Sequence, residues 1–334
     1  MTRLAKPNDV NPSGRAPRLD VAFLEHIPSV VLLVLIVGLA ALVCFATFPP
    51  KPLILHVLQK LAHPGVFGVI SLSAFTLVSR NLQTSRATWL AYLLALLTAI
   101  MIGGLTEIGQ IYTHREPGLH DVWVDTRGAL CALLFAAAFD ARLRITRPAV
   151  TRAVVLTIAG LLSTVILWPL LYSGAAYLNR AYRFPVLFTP VSVLDTFFLE
   201  PTPLQIQIAD EHFARALVVP LKGHPYAGVT LFEPSSDWRG YTTLVIDATN
   251  PSTRDVDIVV RVDDRGRTLN YDDRYNVPQH FAAGEHKIIS IPLDDIAHAP
   301  QTRILDLGRI SQVILFHVGA SGPPTLLLHQ IRLS

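Results

Sequence analysis

The sequence predicts a multi-domain protein: an all-α polytopic membrane bundle with five transmembrane helices, followed by an all-β antiparallel sandwich of the jelly-roll kind. Three observations support this prediction. The chain of 334 residues is 51% hydrophobic and only 16% charged, whereas ordinary soluble domains hold about 25% charged residues. Its long uncharged runs all lie in residues 1–179, and the apolar pattern becomes alternating in residues 180–334. This composition excludes a disordered chain and a highly charged nucleic-acid binder, so we expect no nucleic-acid partner.

The first part of the chain holds the apolar runs that predict transmembrane helices. A spanning helix needs about 20 apolar residues, and three uncharged runs reach that length, namely 27–50, 87–106 and 153–179. Two weaker runs add a second and a fourth helix. The predicted organisation is an N-terminal tail (1–26), a membrane domain (27–179) with helices at about 27–48, 58–79, 87–110, 121–139 and 153–178, a junction (180–205) and a sandwich (206–334).

The charges of the connecting segments predict the orientation in the membrane. Residues 1–179 hold 14 Lys or Arg against 8 Asp or Glu, and ten of these cations lie in the N-terminal tail and the loops after the second and fourth helices. Because cytoplasmic loops are enriched in Lys and Arg, we expect a cytoplasmic N-terminus and, after five spans, an extracytoplasmic sandwich. The first helix is too long for a signal-peptide core and has no small-residue cleavage site, so we expect a retained anchor.

Polar residues are concentrated where three of the predicted helices begin or end, all on the predicted outer side. They are Lys60, His63, Glu107, Gln110, Arg115, Asp121 and Asp125. Within each helix the pairs are three or four residues apart, so each pair shares one helix face. A carboxylate in a membrane segment is costly and points to a functional site by default. The alternatives are a network of ion pairs that ties the helices together, or groups solvated among the lipid headgroups.

These residues also resemble a known family. The stretches QKLAHPGVFG (59–68) and GGLTEIGQIYTHREPGLHDVWVDTRGALCALLF (103–135) are similar to the Lys-x-x-His, Glu-x-x-Gln, Arg, Asp, Asn/Asp and Gly pattern of the VanZ family. The matching positions are Lys60, His63, Glu107, Gln110, Arg115, Asp121, Asp125 and Gly128. The sequence departs from the pattern at Gln59, Pro64 and Asp125, where the family often has an Asp, an aromatic residue and an Asn.

The VanZ resemblance covers roughly residues 28–140 and implies a membrane protein of the bacterial cell envelope. The family is named for a glycopeptide (teicoplanin) antibiotic resistance protein and implies no settled reaction. The expected location is therefore the bacterial cytoplasmic (inner) membrane, with the lipid bilayer as a partner.

The chemistry of the polar set favours an anionic ligand, such as a lipid-linked or peptidoglycan-like envelope component. The residues expected to bind it are Lys60, Gln110, Arg115 and Asp121. In an enzymatic version Glu107 or Asp125 is the general base and His63 exchanges the proton. Because two cations lie in the set, we expect no metal there, and we expect no cofactor.

The second part of the chain predicts short strands. Alternating apolar residues, separated by turn signals such as NPSTRD, DDRGRT and GASGPP, are typical of an antiparallel sandwich. The strands are expected at about 213–221, 240–250, 255–263, 287–293, 310–318 and 326–333. The pattern from DWRGYTTLVIDATNP to LLLHQIRL resembles galactose-binding-like sandwiches, which include carbohydrate-binding modules. His329 stands where such domains often have an Asp, which disfavours a calcium site at that strand and leaves calcium binding by the sandwich open.

Two groups of aromatic and polar residues in this part are candidate contacts for a sugar. They are Trp238, Tyr241, Tyr271, Asp273 and Tyr275. Aromatic rings stack on sugars and carboxylates hold hydroxyl groups, so a glycan site is chemically sensible. The alternative is that Trp238 packs in the core and that YDDRY (271–275) is a solvated turn.

Two functional hypotheses follow. In the first, the outward-facing pocket binds or acts on an anionic envelope component. In the second, the protein is a non-catalytic, membrane-anchored carbohydrate-binding or scaffold protein, and its polar residues tie the helices together. Whether the protein is an enzyme is left open by the sequence.

Overall fold

The structure is a computed structural model. It describes residues 26–46, 52–80, 85–113, 118–143, 147–200, 205–207, 215–221, 225–235, 237–268, 270–319 and 325–334. The chain divides into two compact units. One is helical and comprises Met1–Pro50 and Leu55–Pro169, and the other comprises Lys51–Ile54 and Leu170–Ser334.

Five long helices precede the strands. They are α1 (Ser29–Phe45), α2 (Leu53–Ser79), α3 (Ser85–Gln110), α4 (Leu119–Phe139) and α5 (Pro148–Arg183). Within the described residues, four of them are long and apolar enough to cross a membrane, whereas α1 has 17 residues and is shorter. The prediction of a helical, membrane-type first part is therefore confirmed, and the prediction of five spans is not.

The surfaces of these helices are apolar where a soluble protein would be polar. In the most apolar stretch of α5 only 6% of the residues are buried, and side chains such as Leu161 and Trp168 are largely exposed. A helix that is apolar on all sides needs an apolar environment. The interior of a lipid bilayer is an environment of that kind.

A close contact between α2 and α4 determines where the polar residues lie. A Cβ atom added at Gly128 would come within 2.1 Å of the carbonyl oxygen of Pro64, so only glycine permits the two backbones to approach this far. On α2, Gly68 faces the same part of α4, with the backbone oxygen of Gly128 3.5 Å from its notional Cβ. The contact brings His63, next to Pro64, towards the first turns of α4.

The second unit is a sandwich of two antiparallel sheets with a short helix, α6 (Leu293–Ala297). Its strands are β1 (Val186–Phe188), β2 (Leu199–Glu200), β3 (Gln205–Gln207), β4 (Ala216–Pro220), β5 (Gly228–Phe232), β6 (Thr243–Thr249), β7 (Val256–Asp264), β8 (Tyr275–Phe281), β9 (His286–Pro292), β10 (Ile310–His317) and β11 (Thr325–Leu333). One sheet has the order β3-β4-β11-β6-β9, with β1 also paired to β11, and the other has the order β2-β5-β10-β7-β8. The predicted antiparallel β-fold is confirmed.

Alternation along the strands builds the core between the two sheets. In β7, for example, Val256, Ile258, Val260 and Val262 are buried, as their period of two predicts. The register of β11 against β6 shifts between Leu328 and Gln330, which makes His329 the extra residue of a bulge. Bulges redirect a side chain, and this one lies on the outer face of the sheet.

Candidate functional site

The helical unit contains a small polar cavity at the ends of α2 and α4. Its volume is about 90 Å³, which leaves room for about three waters or for a compact polar group of a larger molecule. The lining residues are His56, Gln59, Lys60, His63, His120, Asp121 and Val124. Three of the residues predicted from the sequence, Lys60, His63 and Asp121, thus line one cavity.

Asp125 lies behind this cavity and is the most unusual polar group of the unit. Its side chain is buried, with the residue 1% exposed, and neither carboxylate oxygen has a hydrogen bond among the described residues. Nδ1 of His63 lies 3.5 Å from Oδ1. Asp125 and Asp121 lie one turn apart on α4, so the carboxylates occupy the inner and outer parts of the same site.

Glu107 adds a third carboxylate from α3. It is buried, and its Oε2 accepts a hydrogen bond of 2.8 Å from the backbone N–H of Gly118. Its Oε1 is buried without a hydrogen bond among the described residues, and Glu107 interacts electrostatically with His63, Asp121 and Asp125. Gln110, one turn further along α3, is also buried. Arg115 lies outside the described residues.

The polar side chains of this site differ in their exposure to solvent. Lys60 is exposed, His63 and Asp121 are half-buried, and Asp125 and Glu107 are buried. A buried carboxylate that faces an imidazole at 3.5 Å can orient the ring by electrostatic attraction and favour proton exchange at its other nitrogen. The helical unit therefore offers a cation at the surface and an acid–base pair behind it.

The predicted sugar-contact residues of the sandwich lie in different surroundings. Trp238 is fully buried, and its Nε1 donates to the carbonyl oxygens of Pro234 and Ser235 at 3.1 and 2.8 Å. Tyr275 is a buried member of the core, and burial raises its pKa to about 12. Tyr241 packs its ring edge-on against Phe184 at 5.3 Å. The glycan roles of these three residues stay predictions.

Tyr271 and Asp273 differ in exposure although they are two residues apart. Tyr271 is 65% exposed and carries the guanidinium of Arg274 over its ring at 4.9 Å. Asp273 is buried, and both of its carboxylate oxygens accept hydrogen bonds. Oδ1 accepts from Arg303, and Oδ2 accepts from the backbone N–H of Thr268 at 2.5 Å. Of the five residues, Tyr271 is the one most accessible to a sugar.

Asp273 belongs to a charged network centred on Arg303. The guanidinium donates to both oxygens of Asp264, at 2.6 and 2.8 Å. Burial opposes ionisation of Asp264, but the bonds from Arg303 and from the backbone N–H of Asp306 outweigh it and hold the pKa of Asp264 below its ordinary value. The N–H of Thr268 and the guanidinium of Arg303 likewise hold the pKa of Asp273 low.

A larger cavity, of about 580 Å³, lies in the sandwich unit. Its polar lining includes Tyr177, Arg180, Glu233, Arg265, Arg267 and Gln312. Glu233 accepts from the Tyr177 hydroxyl at 2.5 Å and from the backbone N–H of Leu53 at 2.7 Å. Arg180 is 5% exposed, and its Nε and Nη2 have no hydrogen bond within the described part of the chain. Cavities of this size hold small ligands.

Sequence reasoning did not single out this cavity. The signal available was Arg180 itself, a cation directly after the uncharged run 153–179. Glu233 stands between residues of no special pattern, and its backbone adopts a positive φ of 49°. A residue-by-residue reading does not reveal that a helix end and a loop more than fifty residues away meet.

The comparisons with known proteins concern the sandwich. No protein-family profile and no curated protein matches the sequence. Among solved structures, a family 11 carbohydrate-binding module from Clostridium thermocellum, in complex with a β-1,3-1,4-mixed-linked tetrasaccharide, is similar at 15% identity and a TM-score of 0.32, over 39% of this chain and 80% of that one. A family 30 module of a cellulosomal cellulase from the same organism is 14% identical at a TM-score of 0.29, over 41% and 86%. An exo-β-agarase is 15% identical at a TM-score of 0.32, over 41% of this chain and 23% of the enzyme.

Proposed function

We propose that the protein is a VanZ-like envelope membrane protein whose helical unit binds the anionic group of a lipid-linked or peptidoglycan-like component. The observation that carries this proposal is Asp125. It is a carboxylate 1% exposed that faces His63 at 3.5 Å and has no hydrogen bond among the described residues. A carboxylate is kept in such surroundings at a cost in stability, which a functional role explains.

The layered positions of the polar groups support an anionic ligand. Lys60 is exposed where the cavity opens, so its ammonium can meet a phosphate or carboxylate by a charge-assisted hydrogen bond. His63 lines the same cavity with Nδ1 turned to Asp125. The imidazole can then donate a proton to the bound anion or receive one from it, with Asp125 holding the ring. Arg115, predicted to add a second cation, remains part of the proposal.

Lipid retention in nanodiscs tests this function. The full chain is reconstituted with equal amounts of a polyprenyl phosphate and the uncharged polyprenol of the same length, and native mass spectrometry measures which lipid stays bound. We expect selective retention of the phosphate. Lys60→Gln and His63→Ala should each reduce that retention about tenfold, because each removes a charged hydrogen bond.

Arg152→Gln is the matched control. It also removes a cation of the helical unit, but Arg152 donates to the carbonyl oxygen of Ala138, at the other end of α4. Retention should be unchanged in this variant. Equal retention of the two lipids, or unaltered retention in both Lys60→Gln and His63→Ala, would contradict the proposal.

A second candidate function is binding of an anionic glycan by the sandwich, and Arg180 is the observation that favours it. Two nitrogens of a buried guanidinium, Nε and Nη2, have no hydrogen bond among the described residues, and they lie beside a cavity of about 580 Å³. Arg265 and Arg267 line the same cavity. A carboxylated sugar would supply the acceptors that this guanidinium lacks.

Calorimetric titration separates this candidate from binding of neutral sugars. The full chain in detergent is titrated with oligogalacturonate and with a neutral mixed-linked glucan. If the site binds anionic glycans, oligogalacturonate gives heat of binding and the neutral glucan gives none. Arg267→Gln should weaken the binding of oligogalacturonate. Arg239→Gln, which removes an exposed guanidinium paired with Asp237 at 2.7 Å, should bind as the parent does. Heat with the neutral glucan alone would argue for stacking on Tyr271 instead, and no heat with either would remove the candidate.

A further inference from the structure

Two histidines and an aspartate meet on the outer face of the six-stranded sheet. Asp247 lies on β6, His286 begins β9 and His329 lies on β11. One potential ligand atom from each residue lies within 4.8 Å of the others. The three strands are neighbours in the order β11-β6-β9, so the cluster is built by the sheet and not by a mobile loop.

Register explains why these three side chains converge. Thr249 of β6 pairs with His286 of β9, and Asp247 lies two residues away on the same face. On the other side of β6, Asp247 pairs with Gln330, across the bulge that contains His329. Leu328 packs in the core, so the alternation along β11 turns the next residue, His329, to the outer face. Its imidazole thus lies on the same face as Asp247 and His286.

The three side chains of the cluster contact one another or a neighbouring hydroxyl group. Nε2 of His286 lies 2.7 Å from Oδ1 of Asp247, and the rings of His286 and His329 meet edge to face at 5.7 Å. The hydroxyl of Thr249 lies 2.9 Å from Nε2 of His329. Metal-binding histidines commonly keep such a polar partner on one ring nitrogen, which fixes the orientation of the ring.

The burial of the cluster is graded. His329 is 7% exposed, so its ring forms the inner side of the cluster. Asp247 is half-buried and His286 is the most exposed of the three. An ion held here would have protein ligands on the inner side and an open position towards solvent.

We propose that Asp247, His286 and His329 bind a divalent transition-metal ion of the zinc class. Two imidazoles and one carboxylate are a common protein ligand set for such ions, with water in the remaining position. Calcium prefers oxygen ligands, so two nitrogen donors disfavour it. The bound ion would tie β9, which lies at the edge of its sheet, to β6 and β11.

The test uses the full chain purified in detergent without a polyhistidine tag and stripped of metal. Zn²⁺ is titrated by calorimetry, and Co²⁺ is used as a spectroscopic probe because nitrogen ligands give it a visible absorption band. We expect one ion per chain, a raised thermal unfolding temperature, and no comparable effect of Ca²⁺. His286→Ala should weaken Zn²⁺ binding by at least about tenfold and abolish the Co²⁺ band.

His280→Ala is the matched control. Its Nδ1 lies 2.9 Å from Oδ1 of Asp257, so it forms a similar His–Asp contact on the other sheet. Among the described residues, however, this pair belongs to no group of three ligand atoms within 4.8 Å of one another. Zn²⁺ binding should be unchanged in this variant. Because His286 is exposed, metal-free His286→Ala should unfold at the same urea concentration as the metal-free parent. Absence of Zn²⁺ binding in the parent, equal Zn²⁺ binding in His286→Ala, or preferential binding of Ca²⁺ would overturn the proposal.

Discussion

Buried carboxylates occur in both units, and their partners distinguish them. In the sandwich, Asp264 is bonded by both terminal nitrogens of Arg303, and Asp263 accepts from Arg261 at 3.0 Å. In the helical unit, Asp125 has no hydrogen bond among the described residues and faces the imidazole of His63 at 3.5 Å. A carboxylate that is bonded to a guanidinium serves the fold. One that lacks such a partner beside a cavity is the better candidate for function.

The network of Arg303 makes the stability of the sandwich depend on pH in acid. The pKa of Asp264 and that of Asp273 are lowered in the folded protein, so the folded state favours their charged forms. Their contribution to the free energy of unfolding is present above about pH 4, the ordinary Asp value, and is lost as the pH falls through the lowered pKa. Stability should thus fall in acid and be level near neutrality.

Arg303→Met tests this dependence. It should lower the free energy of unfolding by about 2 kcal/mol at pH 7, because Asp264 loses its main partner in a buried position. The difference from the parent should shrink as the pH falls below 4. Hydrogen–deuterium exchange of peptides from β7 and β10 in increasing urea measures this difference in the free energy of unfolding in the full chain. Arg239→Met, which breaks an exposed ion pair, should have the same free energy of unfolding as the parent. A loss of stability in Arg303→Met that does not change with pH would contradict the account.

Single residues show where sequence reasoning stops. Trp238 and Tyr275 have polar neighbours in the sequence, as surface residues would, yet Trp238 is fully buried and Tyr275 is in the core. The reason lies in contacts distant in sequence: the backbone N–H of Trp238 donates to the carbonyl oxygen of Leu307, and Tyr275 pairs with Val262. The interpretation of Trp238 as core packing, also open from the sequence, agrees with its position.

At the scale of elements, the contact of α2 with α4 depends on one glycine. Gly128→Ala would place a Cβ 2.1 Å from the carbonyl oxygen of Pro64, so the helices must move apart. We expect a loss of about 2 kcal/mol or more in stability. Lipid retention should also weaken, because His63 lies on α2 and moves away from α4 with it. Thermal unfolding in detergent and the nanodisc assay measure the two effects.

Gly104→Ala provides the comparison for that prediction. A Cβ at Gly104 of α3 meets nothing within 4 Å, and Ala is favoured over Gly inside a helix by about 0.5–1 kcal/mol. This variant should be as stable as the parent or slightly more so. If Gly128→Ala is equally well tolerated, the close approach of the two helices is not what positions the site.

The elements that the sequence predicts are those with a long apolar run or a regular alternation of apolar residues. Long apolar runs predicted the helices, and alternation predicted strands at β4, β6, β7, β9, β10 and β11. The strands β1, β2, β3, β5 and β8 were not predicted. Pro278 interrupts β8, which is compatible with a strand only because β8 lies at the edge of its sheet.

At the scale of the whole molecule, composition and periodicity predicted an α-helical membrane-type part followed by an antiparallel β-part. Helix spacing also placed Lys60, His63 and Asp121 on one cavity. The number of spans was not predicted with the same success, because α1 is 17 residues long and an apolar run alone does not determine where a helix ends. The metal-type cluster was missed because it arises from strand register, which the sequence pattern does not display.

The central claim is that the polar cavity of the helical unit opens to the extracytoplasmic side and holds an anionic envelope component. The most direct measurement is labelling of Gln59→Cys, at the cavity, in a variant whose Cys44 and Cys131 are replaced by Ala. Intact cells are treated with a membrane-impermeant maleimide, with and without added polyprenyl phosphate. We predict labelling in intact cells that polyprenyl phosphate slows and polyprenol does not. Labelling only after the membrane is permeabilised, or equal labelling with both lipids, would contradict the account.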